Sequence, residues 1–206
     1  MSDVNGLGES LGVELIRVQR RLEAIYELEP APPIVPFIRV EPGEAREQLI
    51  VRQSVDGLDL IVLLPEASVR ALLAGDSDGD MDAYMGAIEG VSHFIHLAER
   101  ARTQLPTTLL ELELQAEVDK FAILADRPVS LPTLALQDLH RRLYENVRYL
   151  HGSTTERGQR YRLANDLAAK LWSQLIGHGE GHLVRGVLRR FYRASQAEKI
   201  RMVRAA

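Results

Sequence analysis

The sequence predicts an α+β protein, mainly α: a small N-terminal layer of one helix and a three-stranded antiparallel meander, then an antiparallel bundle of about five helices. Three observations predict it. Apolar residues over 9–28 recur at helical spacing, two apolar runs flank Asp56-Gly57, and from residue 81 onward helical periodicity is broken only by short Pro- or Gly-containing gaps. The implied division is a small α/β domain over residues 1–75, an acidic linker over 76–82 and a helical bundle over 83–206.

Leu11, Leu15, Val18, Leu22 and Ile25 form one stripe on the first helix. That seam suits packing on a neighbouring sheet and is shorter than the three heptads that argue for a coiled coil. Pro30 ends the helix, and Pro32, Pro33 and Pro36 keep the next stretch extended. Asp56-Gly57 has the composition of a two-residue type I′ turn. Pairing Val55 with Leu58 sets Val51 opposite Val62 and Leu49 opposite Leu64, which gathers apolar residues on one face. The other face mixes Arg52 and Asp59 with Ile50, Ile61 and Leu63, so partial cover by a helix is expected. Residues 37–40 supply the third strand. Pro65 opens a short helix through Leu73 that Gly75 ends. Further helices are expected near 81–103, 107–125, 133–150, 155–176 and 181–194, with Ser195 and Glu198 as the capping box of a last short one.

Charge is sorted along the chain. Residues 1–126 carry 10 Lys/Arg against 23 Asp/Glu, a net of −13; residues 127–206 carry 15 against 6, a net of +9, within a total of −4. Such asymmetry calls for a counterpart: an acidic protein surface, nucleic acid, or the chain's own acidic half. Arg185, Arg189 and Arg193 fall near one line, with Lys199, Arg201 and Arg204 beyond them. A basic stripe of this kind can contact phosphates. No zinc finger, helix-turn-helix or RNP-type aromatic pattern accompanies it. A protein partner or self-association is therefore the expected use, and nucleic acid the less favoured one.

Cysteine is absent, which excludes disulfides, thiolate nucleophiles and Cys-ligated metals. The start MSDVNGLGES has neither a basic n-region nor an apolar h-region, and the most apolar run, residues 60–64, is far below the roughly 20 residues that span a bilayer. A cytoplasmic protein without membrane contact is the expectation.

Candidate site residues lie on four helices. Glu89, His93, His96 and Arg100 share one face of the helix at 81–103, opposite its apolar residues. Glu89 and His93 stand at i,i+4, where two side chains can hold one metal or share one proton, so Glu89, His93 and His96 are the candidate metal ligands. The helix at 107–125 is apolar on two faces, which predicts a central position. Of its two polar stripes, the wide one (Thr108, Glu111, Gln115, Asp119, Asp126) is expected to meet water. The narrow one holds Glu113 and Glu117, one turn apart, with Lys120 beside them. Sealed inside, that pair would need a cation, a metal or a shared proton. His140 and Tyr144 border the stripe at 133–150, and Arg160 lies on the apolar side of the helix at 155–176. Glu113, Glu117 and His140 are the catalytic candidates, and Arg160 and Tyr144 the ligand-binding ones.

Other patterns fail on spacing. Counting from Asp76, position six is Met81 and position twelve Ala87, so the acidic linker is no EF-hand. The glycines between His178 and His182 fit helix termination better than metal binding. Glycine-rich dinucleotide, P-loop, zincin and nucleophile-elbow motifs are all absent, and no cofactor is indicated. Two functions follow as expectations: a non-enzymatic interaction or adaptor module, or an enzyme or ligand-binding protein with a His/Glu/Arg site between bundle helices.

Overall fold

Helix α1 (Asp3–Tyr26) forms where the sequence places its stripe, and in the computed structural model of the protein Leu11, Leu15, Val18, Leu22 and Ile25 are all buried. The structure describes residues 3–43, 46–54, 57–75, 80–126, 131–145, 147–178 and 181–205. Two compact units emerge: Met1–Ala24 with Leu28–Leu105, and Ile25–Glu27 with Pro106–Ala206. Among the described residues the chain is a mainly helical α+β protein with eight α-helices and one three-stranded sheet.

In the first unit a 3-10 turn (Val35–Phe37) leads into β1 (Ile38–Glu41), β2 (Gln48–Ser54), β3 (Gly57–Pro65), α2 (Glu66–Ala74) and α3 (Met81–Arg102). Buried side chains of α1 hold the proline-rich strap that follows it. Gln19 donates to the Pro32 carbonyl at 3.1 Å and accepts from the Ile34 N–H at 3.0 Å, while Glu23 accepts from the Ala31 N–H at 3.0 Å. A segment of prolines has few donors to offer itself, so α1 supplies the partners.

The sheet corrects the expected meander. Strand order is β1-β3-β2, with β1 parallel and β2 antiparallel to β3. A meander would have centred β2, which carries Gln48, Arg52 and Gln53; the continuous apolar run of β3 takes the centre instead. The hairpin register also differs, with Val51 opposite Leu60 and Leu49 opposite Val62. A shift of two residues keeps every side chain on its predicted face. Gly57 pairs with Ser54 as the first residue of β3, while Val55 and Asp56 of the expected turn lie outside the described residues. Asp76 and Asp78 of the acidic segment lie outside them too.

One face of the sheet packs under α3. A Cβ on Gly90 would stand 3.0 Å from Leu64 Cδ2 and 3.0 Å from Val62 Cγ1, so the helix crosses β3 at its glycine. The helix expected to open the bundle therefore belongs with the sheet. On the opposite face Ile50 and Ile61 stay 47% and 36% exposed, so the partial cover expected there does not bury them. The Arg52–Asp59 pair at 2.7 Å flanks them.

The second unit comprises α4 (Leu109–Ala125), α5 (Thr133–Tyr144), α6 (Glu156–His178), α7 (Gly181–Arg193) and α8 (Gln196–Arg204). Thr108 and Glu111 cap α4 reciprocally, each bond 3.1 Å, and the Ser195–Glu198 box opens α8 as predicted. Residues 111–116, 118–120 and 121–124 of α4 are buried, which fits the central position its two apolar faces require. α6 is its main neighbour: Phe121 stacks on Trp172 with centroids 4.1 Å apart, and the Trp172 Nε1–H donates to the Val118 carbonyl at 3.2 Å. Among the described residues, no helix is long and apolar enough to cross a membrane.

Candidate functional site

Asp80 starts α3 by accepting from the N–H groups of Asp82 and Ala83 at 3.0 and 3.3 Å, and Arg100 and Arg102 in the last turn complement the dipole. The 100° step then aligns Glu89, His93, His96 and Arg100 on one face. All four are buried, Glu89 at 1% exposure and His93 at 7%. Glu89 and His93 each offer a ligand atom within 4.8 Å of the other's. His96 serves a different neighbour: Arg100 Nε donates to its Nε2 at 3.4 Å. That nitrogen accepts, which places the proton of the neutral ring on Nδ1. The metal candidates thus divide, with Glu89 and His93 as a convergent pair and His96 turned toward a cation.

In the helical unit the narrow stripe of α4 is largely out of water. Glu113 is buried; Glu117 is partly so and accepts from Lys120 Nζ at 2.7 Å. The Tyr144 hydroxyl donates to the Glu117 carbonyl at 2.8 Å, and burial, with help from the charge of Glu117, holds its pKa well above the ordinary tyrosine value. The His140 ring meets Tyr144 edge-on at 5.1 Å, and its Nε2 lies 2.8 Å from the Ala169 carbonyl, so that nitrogen carries a proton and donates. Tyr144, His140 and Glu117 therefore come together, each in a bond that joins or stiffens helices. Arg160 pairs with Glu156 on its own helix at 3.6 Å. The ligand-binding candidate Arg160 is thus engaged by a carboxylate one turn away on the same helix.

The wide stripe of α4 is a correction. Glu111, Gln115 and Asp119 are buried, not solvated. Lys199 Nζ of α8 donates to Gln115 Oε1 at 2.9 Å; Gln115 Nε2 donates to Asp119 at 2.8 Å and to the Tyr26 hydroxyl at 3.2 Å; and the Tyr26 hydroxyl donates to Asp119. Lys199 also lies 5.2 Å from the Phe191 ring centroid. Sequence reasoning missed this network. The available signal was Lys199 four residues before Val203, on the inner side of a short helix.

The basic stripe of α7 is spent on acidic and carbonyl partners. Arg189 pairs with Glu27 at 2.8 Å, Arg193 donates to the Glu27 carbonyl at 2.9 Å, and Arg185 pairs with Asp126 at 3.1 Å. Two of these arginines close the C-terminal end of α1, where unpaired carbonyls and the negative dipole end attract cations. Gly179 and Glu180, between His178 and His182, lie outside the described residues. Compared with known proteins, the chain matches no family model, no curated protein and no solved structure at a significant level.

Proposed function

We propose that the protein binds a divalent transition metal on α3, with Glu89 and His93 as the ligands that helix supplies. One observation carries this reading: a carboxylate and an imidazole, both buried, converge within 4.8 Å from positions i and i+4. A mixed N/O donor pair is what zinc, iron, nickel or manganese accepts. Two donors from one helix hold an ion weakly by themselves, so the remaining positions fall to further side chains or water, the latter being the requirement for a reactive site.

Protein purified without a His tag, stripped with chelator and reloaded, tests this by elemental analysis and calorimetry. The expected result is about one equivalent of metal in the wild type, lost in Glu89→Gln and in His93→Ala, with stabilisation of about 2.7 kcal/mol at a hundredfold excess of metal over Kd. A stripped protein that takes up none of these metals defeats the reading.

A second reading, an interaction or adaptor module that engages a protein partner or itself, is supported by the Ile50–Ile61 cross-strand pair left exposed on the sheet. Light scattering after gel filtration separates the two: self-association abolished by Ile50→Lys favours the module, and a monomer unchanged by it removes self-association.

A further inference from the structure

In the helical unit a cavity of about 240 Å³ opens between α4, α5, α6 and α7. Phe121, Trp172, Leu175 and Leu188 line it, all buried, and most of its lining side chains are apolar. Its lining also includes an ion pair, Arg185 and Asp126, with side chains 56% and 30% exposed and Nη2 3.1 Å from Oδ1. We propose that this cavity binds a free hydrophobic α-amino acid: the side chain inside, the carboxylate on Arg185 and the ammonium on Asp126.

Size sets the first limit. The cavity falls below the roughly 300–1,000 Å³ of clefts that hold drug-sized ligands, so its occupant is a small molecule with one apolar group. Charge sets the second. A guanidinium has five N–H donors in a planar fork, and the bond to Asp126 uses one of them. The carboxylate beside it has about four lone-pair sites, of which Arg185 takes one, and it attracts a cation and repels an anion. A fatty or aromatic acid would gain from Arg185 and lose to Asp126; an amine would meet the reverse. A molecule with carboxylate and ammonium on the same carbon meets both, because its opposed charges are as closely spaced as those of the pair. Charge-assisted bonds at the mouth fix orientation while the apolar lining supplies the burial energy.

Trp172 is the chain's single tryptophan and lines the cavity, so its emission reports occupancy. The full-length protein is titrated with L-phenylalanine, with 3-phenylpropanoate, which lacks the ammonium, and with phenethylamine, which lacks the carboxylate. A saturable emission change with phenylalanine, at least tenfold tighter than with either analogue, is the expected result. Arg185→Ala, a rim substitution checked for folding by circular dichroism, should weaken phenylalanine at least tenfold. Ala122→Leu, which narrows the cavity, should abolish the change; if that variant does not fold, the Arg185 variant and the two analogues still decide. No saturable change with phenylalanine, a preference over the analogues below tenfold, or an Arg185→Ala variant that binds like the wild type overturns the proposal.

Discussion

Tyr26 brings burial, charge and hydrogen bonding onto one hydroxyl. Burial first, then the charge of Asp119 that accepts its proton, hold its pKa well above the ordinary value near 10. A tyrosine raised on folding stays protonated in the native state at a pH where the unfolded chain has begun to lose its proton. Its stabilising contribution is thus complete below about pH 10 and is lost as pH rises from there toward the folded pKa. Denaturant midpoints measured from pH 8 to 11.5 should fall above about pH 10, and Tyr26→Phe should flatten that fall by up to about 1.4 kcal/mol per pH unit. An unchanged slope would show that Tyr26 ionises alike in both states. At the other end of the network, Lys199→Met keeps the volume but removes the cation, at a cost of about 3 kcal/mol by urea unfolding. A loss under about 0.5 kcal/mol would mean the ammonium is not part of a buried charged network. Beyond the placement of Lys199 on the inner side of its helix, this network was not legible in the sequence. A helical wheel sorts Gln115 and Asp119 by polarity alone, and the groups that make their burial tolerable come from 84 and 93 residues away.

At the scale of elements, the helix caps that the sequence declared locally are the ones the chain formed. Ser195 and Glu198 meet within one turn, as do Thr108 and Glu111, and Gly75 adopts the positive φ of 82° that ends α2. Non-local outcomes were hidden. The pairing of β1 with β3 depends on which edge of a hairpin is more apolar. α5 stops at Tyr144, short of the expected residue 150, where Asn165 of α6 donates to the Tyr144 carbonyl at 3.2 Å. The candidate site divides in the same way: the i,i+4 relation of Glu89 and His93 was readable, while their burial was not. Glycines test the packing with opposite signs. Helix propensity favours Ala over Gly by about 1 kcal/mol in a helix interior. At Gly186 a Cβ would meet nothing within 4 Å, so Gly186→Ala should stabilise by up to about 1 kcal/mol. At Gly90 the same Cβ would crowd Val62 and Leu64 at 3.0 Å, and overpacking of about 1–3 kcal/mol should outweigh the propensity gain. Urea midpoints of the two variants should move in opposite directions; a stabilised Gly90→Ala would mean that α3 does not press on the sheet at that turn.

Across the whole molecule, folding redistributes the charge asymmetry of the sequence. Counted by compact unit, the sheet unit has 9 basic and 17 acidic residues, a net of −8, and the helical unit 16 and 12, a net of +4. The block of +9 is thus halved by acidic residues of its own unit, and specific contacts go further. Arg185, Arg189 and Arg193 each have a carboxylate or carbonyl partner, Lys199 is buried on Gln115, and Arg201 reaches Glu198 at 3.7 Å. A protein that neutralises many phosphates loses about 10³–10⁵ in affinity between 50 and 200 mM salt, with a slope near −0.9 per phosphate. If the stripe is mainly an internal clamp on α1, the protein should leave heparin below about 200 mM salt, with a slope smaller than about three contacts would give. Glu27→Gln removes the carboxylate that pairs with Arg189 while keeping the backbone carbonyl that Arg193 uses, so it should elute later than the wild type. Wild-type retention well above that salt, unchanged by Glu27→Gln, would mean that the arginines face polyanions despite their intramolecular partners, and would restore nucleic acid as the counterpart of the basic end.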